Sequence, residues 1–232
     1  LTLAGDTGSY AFQVSIQELQ RNGTQVVCPD FSVNGRIEHD TPCPSLAFQD
    51  LPQTAWYHAG VDYVLNQNLM IGVSDTRFCP GASTNRAMMV TVLYRLAGEP
   101  DASKLANPFQ DVKAGSYYSD AVRWAAANEI AQGVTDTRFQ PNGLMTREQM
   151  ATFLYRYAKL QQADTSASVA LTGFPDGASV SPWAKDAMQW AVGSGLIQGT
   201  KENGKIFLNP QGTSTRAQVA VILMRFLEGG VQ

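Results

Sequence analysis

Three arginines recur in one local context. Arg147 and Arg216 follow Thr146 and Thr215, Arg86 follows Asn85, and each precedes an apolar stretch with helical spacing. A Ser or Thr ahead of such a stretch caps a helix, so each arginine is expected in a first turn, with the helix opening at Ser83 or Thr84, at Thr146 and at Thr215. A cation there opposes the helix dipole, at a cost of a few tenths up to about 1 kcal/mol. Free backbone N–H groups at the same place favour an anion. A guanidinium added to them makes a fork suited to a carboxylate, a uronate or a phosphate. The chemistry expected is anion recognition. The competing reading is structural, an ion pair to Asp50, Asp111 or Asp176. Those aspartates could accept sugar hydroxyls, but an Asp in a turn more often bonds local backbone N–H groups.

Trp56, Tyr117 and Trp183 recur a few residues after the aspartates. A flat ring suits the apolar face of a sugar, and Tyr and Trp also donate a hydrogen bond. Core packing at the start of a helix is the favoured reading, with sugar docking beside it. Arg95, Arg156 and Arg225 fall near helix ends, where a cation favours the dipole, and are read as structural. No G-x-S-x-G or H-E-x-x-H motif is present, and the two histidines, His39 and His58, stand outside any catalytic pattern. The chain is therefore read as no enzyme, with no cofactor. Asp75-Thr-Arg77 and Asp136-Thr-Arg138 lack the calcium-loop pattern, and no C-x-x-C pair is present, so no metal is expected.

The elements that must position these residues come in copies. Asp50 and Asp111, Gly72 and Gly133, and Arg86 and Arg147 are each 61 positions apart, and Arg147 and Arg216 are 69 apart. Such a period marks a repeat architecture. Each copy reads as two helices around a loop. The first helix starts near Thr54, Gly115 and Ser181, with Pro182 at a first helical position, and Gly72, Gly133 and Gly199 fit its stop. The loop carries Phe78, Phe139 and Phe207 ahead of a proline. These and Phe48, Phe109 and Phe174 are expected in the core, as are Tyr63, Trp124 and Trp190. The second helix runs through stripes such as Met89, Val90, Leu93 and Tyr94. One pair cannot bury both helices, so neighbouring copies must cover it. The third copy's extra residues fall before Phe174, before Trp183 and over 200–206. The boundaries expected are an extension or end of a preceding domain over 1–42, then repeats over 43–98, 104–160 and 170–228.

The extension alternates apolar and polar residues over 11–17, which suggests a strand, and Asn22-Gly23 is a plausible turn into a second. Of Cys28, Cys43 and Cys79, the first two flank a short loop and form the favoured disulfide if the protein is exported; three unpaired thiols is the alternative. A net charge of −3 and a pI near 5.4 argue against a generic nucleic-acid binder. No run of 18 apolar residues is present to cross a membrane. An export signal is expected upstream of Leu1.

The F-x-D start, the aromatic-rich first helix, the G-x…F-x-P loop and the T-R-A-x opening of the second helix resemble the S-layer homology family over about 43–228. The resemblance implies a mainly α fold, three helix-loop-helix repeats in a pseudo-threefold assembly, to which the reading of residues 1–42 adds a short β extension at the amino terminus. It implies a cell-wall anchor at the bacterial surface, a monomer that binds a secondary cell-wall polysaccharide, often pyruvylated, in grooves between repeats. Arg86, Arg147 and Arg216 match the family's chief ligand position. The copies depart from T-R-A-E: the fourth position is Met88, Gln149 and Gln218, and Asn85 replaces the threonine of copy one. Two other functions stay open: a protein–protein scaffold, or the accessory domain of a wall-attached glycan hydrolase.

Overall fold

The computed structural model describes residues 43–229. The strand and turn expected before residue 43, and Cys28, lie outside the described residues. Within them are six α-helices: α1 (His58–Asn66), α2 (Arg86–Leu96), α3 (Ser119–Ala127), α4 (Arg147–Leu160), α5 (Lys185–Gly193) and α6 (Arg216–Glu228). One hairpin, β1 (Thr200–Glu202) against β2 (Lys205–Phe207), is formed by the insertion expected over 200–206. Asn203 and Gly204 make its turn with positive φ, the backbone a two-residue hairpin needs. The fold is mainly α, as expected. It divides into two compact units, with the break after Pro80.

In the smaller unit, α1 buries Val61 and Val64 in a core with Leu51, Leu69, Met70 and Phe78. In the larger unit, α2 packs on α3 and α4 on α5. The second helix of one copy thus covers the first helix of the next. Aromatic rings make these seams: Tyr94 lies 5.6 Å from Trp124, Tyr155 5.4 Å from Trp190, and Phe226 6.1 Å from Tyr157. Trp124 and Trp190 are core residues as expected, while Tyr63 is only half-buried.

The openings of α2, α4 and α6 meet at one point. Thr84 N–H donates to Ser214 O at 2.9 Å, Ser214 N–H to Met145 O at 3.2 Å, and Met145 N–H to Thr84 O at 2.9 Å. Three amides, one per copy, close a ring around a local threefold axis. A second ring lies outside it. Arg86 N–H donates to Gly143 O, Arg147 N–H to Gly212 O, and Arg216 N–H to Ala82 O, each at 2.9 Å. These are first-turn N–H groups, without partners inside their own helices, so the neighbouring loop completes each helix.

Several boundaries differ from expectation. The first helices begin later, at His58, Ser119 and Lys185, and their caps Tyr57, Tyr118 and Ala184 use no side chain. Ser181 and Pro182 open a separate 3-10 turn, Pro182–Ala184. Asn85, rather than Ser83 or Thr84, caps α2 by accepting from Met88 N–H at 2.8 Å. Thr146 and Thr215 cap α4 and α6 in capping boxes completed by Gln149 and Gln218. The glutamine at the fourth motif position therefore keeps a reciprocal cap that Met88 cannot supply.

Nor are Gly72, Gly133 and Gly199 helix stops. α1 and α3 end in a left-handed Asn68 and Glu129, with Leu69 N–H bonded to Val64 O and Ile130 N–H to Ala125 O, the Schellman arrangement. Gly195 ends α5. The later glycines provide close approach: a Cβ on Gly133 would lie 2.3 Å from Thr135 O and 2.6 Å from Phe109 Cε1.

One carboxylate fixes each loop. Asp50 accepts from Phe78 and Cys79 N–H at 2.9 and 2.8 Å. Asp111 accepts from Phe139 and Gln140 N–H, both at 2.8 Å. Asp176 accepts from Leu208 and Asn209 N–H at 2.9 and 2.7 Å. The second residue of each pair has a positive φ, 57°, 55° and 49°, which is strained for Cys79 and Gln140. The clamp also corrects the register of copy three. Leu208, fully buried, takes the place of Phe78 and Phe139, and Phe207 is only half-buried. Phe48 and Phe174 are likewise half-buried, whereas Phe109 is core.

Two expectations test these arrangements. Thr84 Oγ1 is buried at the axis without a hydrogen-bond partner, and such a group costs about 1–3 kcal/mol. Thr84→Val keeps the shape and should raise the urea midpoint, by about 1 kcal/mol in stability; a lower midpoint would contradict the reading. Burial pushes the Asp111 carboxyl up, but the N–H groups of Phe139 and Gln140 outweigh it and hold its pKa below the ordinary value. Its contribution is therefore complete above about pH 3.9 and is lost as pH falls through the lower folded-state value. Asp111→Ala should cost about 1.5–3 kcal/mol at neutral pH. Urea melts of variant and parent should converge as the pH falls through that lower value.

Candidate functional site

The arginines are built into the junctions between copies. Arg86 is 4% exposed. Its Nε donates to Phe139 O at 2.8 Å and its Nη2 to Gln132 O at 2.7 Å. The guanidinium carbon stands 4.6 Å from the centroid of the Phe139 ring and 5.4 Å from that of Phe153, within cation–π range. Arg147, also buried, donates from Nε to Leu208 O at 2.7 Å. Each guanidinium therefore reaches the carbonyl of the residue that the aspartate clamp holds through its N–H. Arg216 is buried at the matching position of α6.

Neither Arg86 nor Arg147 has a carboxylate within ion-pair distance among the described residues. Burial lowers the Arg86 pKa to about 10, with the charge of Asp111 opposing the fall. Burial lowers that of Arg147 too, with Asp176 opposing. The ion pair weighed from sequence is thus replaced by an electrostatic neighbour. Asp111 is paired more closely with exposed Arg138, at 4.0 Å, and Asp50 with exposed Arg77, at 3.8 Å.

Trp56, Tyr117 and Trp183 are 67%, 65% and 55% exposed, which excludes core packing for them. They sit in the turns just before α1, α3 and α5 and so miss the buried helical stripe. Trp56 and Tyr117 stand edge-on to Tyr57 and Tyr118, at 5.4 and 5.0 Å. The turn carrying Trp183 packs on α4, the helix that opens with Arg147. Burial pushes the Tyr117 hydroxyl pKa up, and the charge of Arg95 on α2, the helix that opens with Arg86, opposes the rise. Exposed ring and buried cation are thus presented by the same pair of elements in both junctions of the larger unit.

The later arginines have neutral partners: Arg156 donates to Ile130 O at 3.5 Å, and Arg225 to Leu196 O at 3.4 Å and Gln198 Oε1 at 3.2 Å. Arg95 lies 3.8 Å from Glu99. Sequence reasoning missed Glu148. It is 2% exposed, and its carboxylate accepts from Ser181 N–H at 3.0 Å, Ser181 Oγ at 2.8 Å and Gln211 Nε2 at 2.8 Å. The signal available was the odd residue out beside Ala87 and Ala217.

A second cluster was also missed. Cys43 Sγ lies 3.3 Å from His58 Nε2 and 3.2 Å from Asp62 Oδ2, and His58 lies 3.0 Å from Asp62. Those three types can hold a metal, and the i, i+4 spacing of His58 and Asp62 on α1 was the visible clue. Cys43 is disulfide-bonded, so its sulfur is no thiolate ligand. Cys79 is a free thiol. No described helix is long and apolar enough to cross a membrane.

Comparison with known proteins agrees with this geometry. The model of the S-layer homology domain matches residues 108–151 and 173–220. The surface-layer 125 kDa protein of Lysinibacillus sphaericus is 34% identical over 168 residues, 72% of this chain and 14% of that protein. The amylopullulanase of Thermoanaerobacterium thermosulfurigenes is 27% identical over 198 residues, 85% of this chain and 10% of that protein. The chain thus spans only a small part of the curated relatives it matches. An undecaheme cytochrome from the S-layer of Carboxydothermus ferrireducens overlays with a TM-score of 0.40 at 15% identity, over 92% of this chain and 29% of that one, a likeness too loose to carry an argument. The two matched segments contain the clamps of Asp111 and Asp176, the turns of Tyr117 and Trp183 and the openings of α4 and α6, so over 108–151 and 173–220 the chain carries S-layer homology domains.

Proposed function

We propose that this chain is a non-catalytic module that holds its parent protein on the bacterial cell wall by binding an acidic secondary cell-wall polysaccharide. The observation that carries the reading is a buried guanidinium with neutral partners, joined through one helix pair to an exposed aromatic ring. A cation held among carbonyls has no counter-charge in contact, and in a low dielectric its field reaches further than in water. An acidic substituent, such as a pyruvyl ketal or a uronate, meets that field when it approaches the junction. Tyr117 and Trp183 offer the flat face on which a sugar ring stacks. The family's place among surface-layer proteins and surface glycan hydrolases supports a role in attachment. Hydrolysis would then belong to other parts of such proteins.

The arginines are poor first targets for mutation, because they also hold the loops. The exposed rings separate binding from folding. Tyr117→Ala with Trp183→Ala should leave the melting temperature within a degree or so, since surface changes are usually within about 0.5 kcal/mol. Retention on purified wall sacculi should fall about tenfold or more. Sacculi stripped of their non-peptidoglycan polymer should retain neither protein. Full retention by the folded double variant would remove the rings from the site, and full retention on stripped walls would remove the polymer.

A further inference from the structure

We infer that the junction between copies two and three carries its own acid: Glu148 occupies the place that an acidic ligand would take, leaving the junction between copies one and two as the open one of the pair. The inference rests on the anion-binding reading above and assigns its specificity within the larger unit.

The two junctions are built alike. Ala87 N–H donates to Pro141 O at 2.9 Å, and Glu148 N–H donates to Pro210 O at 3.0 Å. Ala87 and Glu148 are therefore equivalent, each the second residue of its helix and directly after the buried arginine. At this position Ala87 ends at Cβ. Glu148 instead extends a carboxylate onto the donors of the next copy. Ser181 N–H and hydroxyl take up both oxygens, and the Gln211 amide shares Oε1. Gln211 also reaches Ser181 Oγ at 3.3 Å.

Three donors on one carboxylate is the coordination a bound acid would seek at such a place. They lie at the start of the turn that carries Trp183 and on the loop that receives Arg147. At the other junction the matching positions are Gly115 and Asn142. Among the described residues no side chain accepts a hydrogen bond from Asn142, which is exposed. The N–H of Gly115 likewise meets no side-chain acceptor. Of the three donors that Glu148 satisfies, the hydroxyl has no counterpart at Gly115, while the matching backbone N–H of Gly115 and the amide of Asn142 belong to exposed residues. A second carboxylate entering beside Glu148 would meet its like charge and spent donors, whereas Ala87 brings no carboxylate of its own and takes up no donor.

The test is a count of sites on the full chain by calorimetry. The probe is the methyl glycoside of 4,6-pyruvylated mannose, with its methyl ester as neutral control. Glu148→Ala should bind about one more equivalent of the acid than the parent, and no more of the ester. The converse variant, Ala87→Glu, should bind about one fewer, and it decides the matter if Glu148→Ala does not fold. If the parent binds the acid and neither folded variant changes the count, the inference is overturned while the wall-binding reading stands. If neither parent nor variants bind the acid, the anion-binding reading fails and takes the inference with it.

Discussion

The larger unit depends on a closed ring of three backbone hydrogen bonds. Thr84, Met145 and Ser214 each give an amide to one neighbour and a carbonyl to the other. A ring of this kind has no free end, so each copy's helix opening is fixed by the next. The orphan N–H groups of α2, α4 and α6 must find partners outside their helices, and the ring sets those partners. Arg86, Arg147 and Arg216 follow one step outward, with their own N–H groups bonded to the neighbouring loops. Their side chains then have little choice of direction, and the two with described partners run into the loop below to meet Phe139 O and Leu208 O. The position of the cations is therefore a consequence of how the helices begin.

Each motif residue consequently has a structural role before any recognition role. Asp111 fixes the loop through two N–H groups, and Arg86 fixes the same residue, Phe139, through its carbonyl. Both ends of one peptide segment are thus held by opposite charges that do not touch each other. That arrangement preserves a positive field at the junction. Had Asp111 paired directly with Arg86, desolvation of both ions would have been offset by mutual attraction, and little would have remained for a ligand. The exposed aromatic turns and the residue after each arginine are less constrained, and there the junctions differ most, as Ala87 and Glu148 show.

How much of this was legible in the sequence follows from the same division. The 61-residue period made the copies, their two helices and the arginine positions readable, because the landmarks recur in register. Helical spacing placed Met89, Val90 and Leu93 in the core, where they are fully buried. Misreadings came where local pattern and tertiary contact diverge. Phe207 looked like the partner of Phe78 and Phe139, but the hairpin ends there, and the clamp selects Leu208 by its N–H, which side-chain type does not reveal. Gly72 and Gly133 follow apolar residues and look like helix stops, but their task is to pass Phe48 and Phe109 at close range. Trp56, Tyr117 and Trp183 looked packable because they precede helices, yet the helices start later and leave them in turns. The donors that gather on Glu148 come from residues 33 and 63 positions away, beyond any local pattern.

The burial of Arg86 and Arg147 also bears on what kind of ligand the junctions can discriminate. A fully exposed arginine would attract any anion at a strength set mainly by salt. A buried one, bonded to carbonyls and, at Arg86, flanked by Phe139 and Phe153, is stiff and cannot reach out to follow a ligand. Its field must be met by an acid of fitting shape, brought to the right depth by contacts elsewhere on the sugar. The exposed ring can supply that depth, since stacking fixes the plane of the sugar and hence the position of its substituents. Neutral sugars would then bind through the ring alone, and simple anions through the field alone, each weakly. On the proposed function an acidic sugar would engage both within one junction, so that the second contact follows at little further entropic cost. On that reading, the separation of cation from ring, set by the helix pair between them, is the element that would make the junction selective for a glycan bearing its charge at a fixed place.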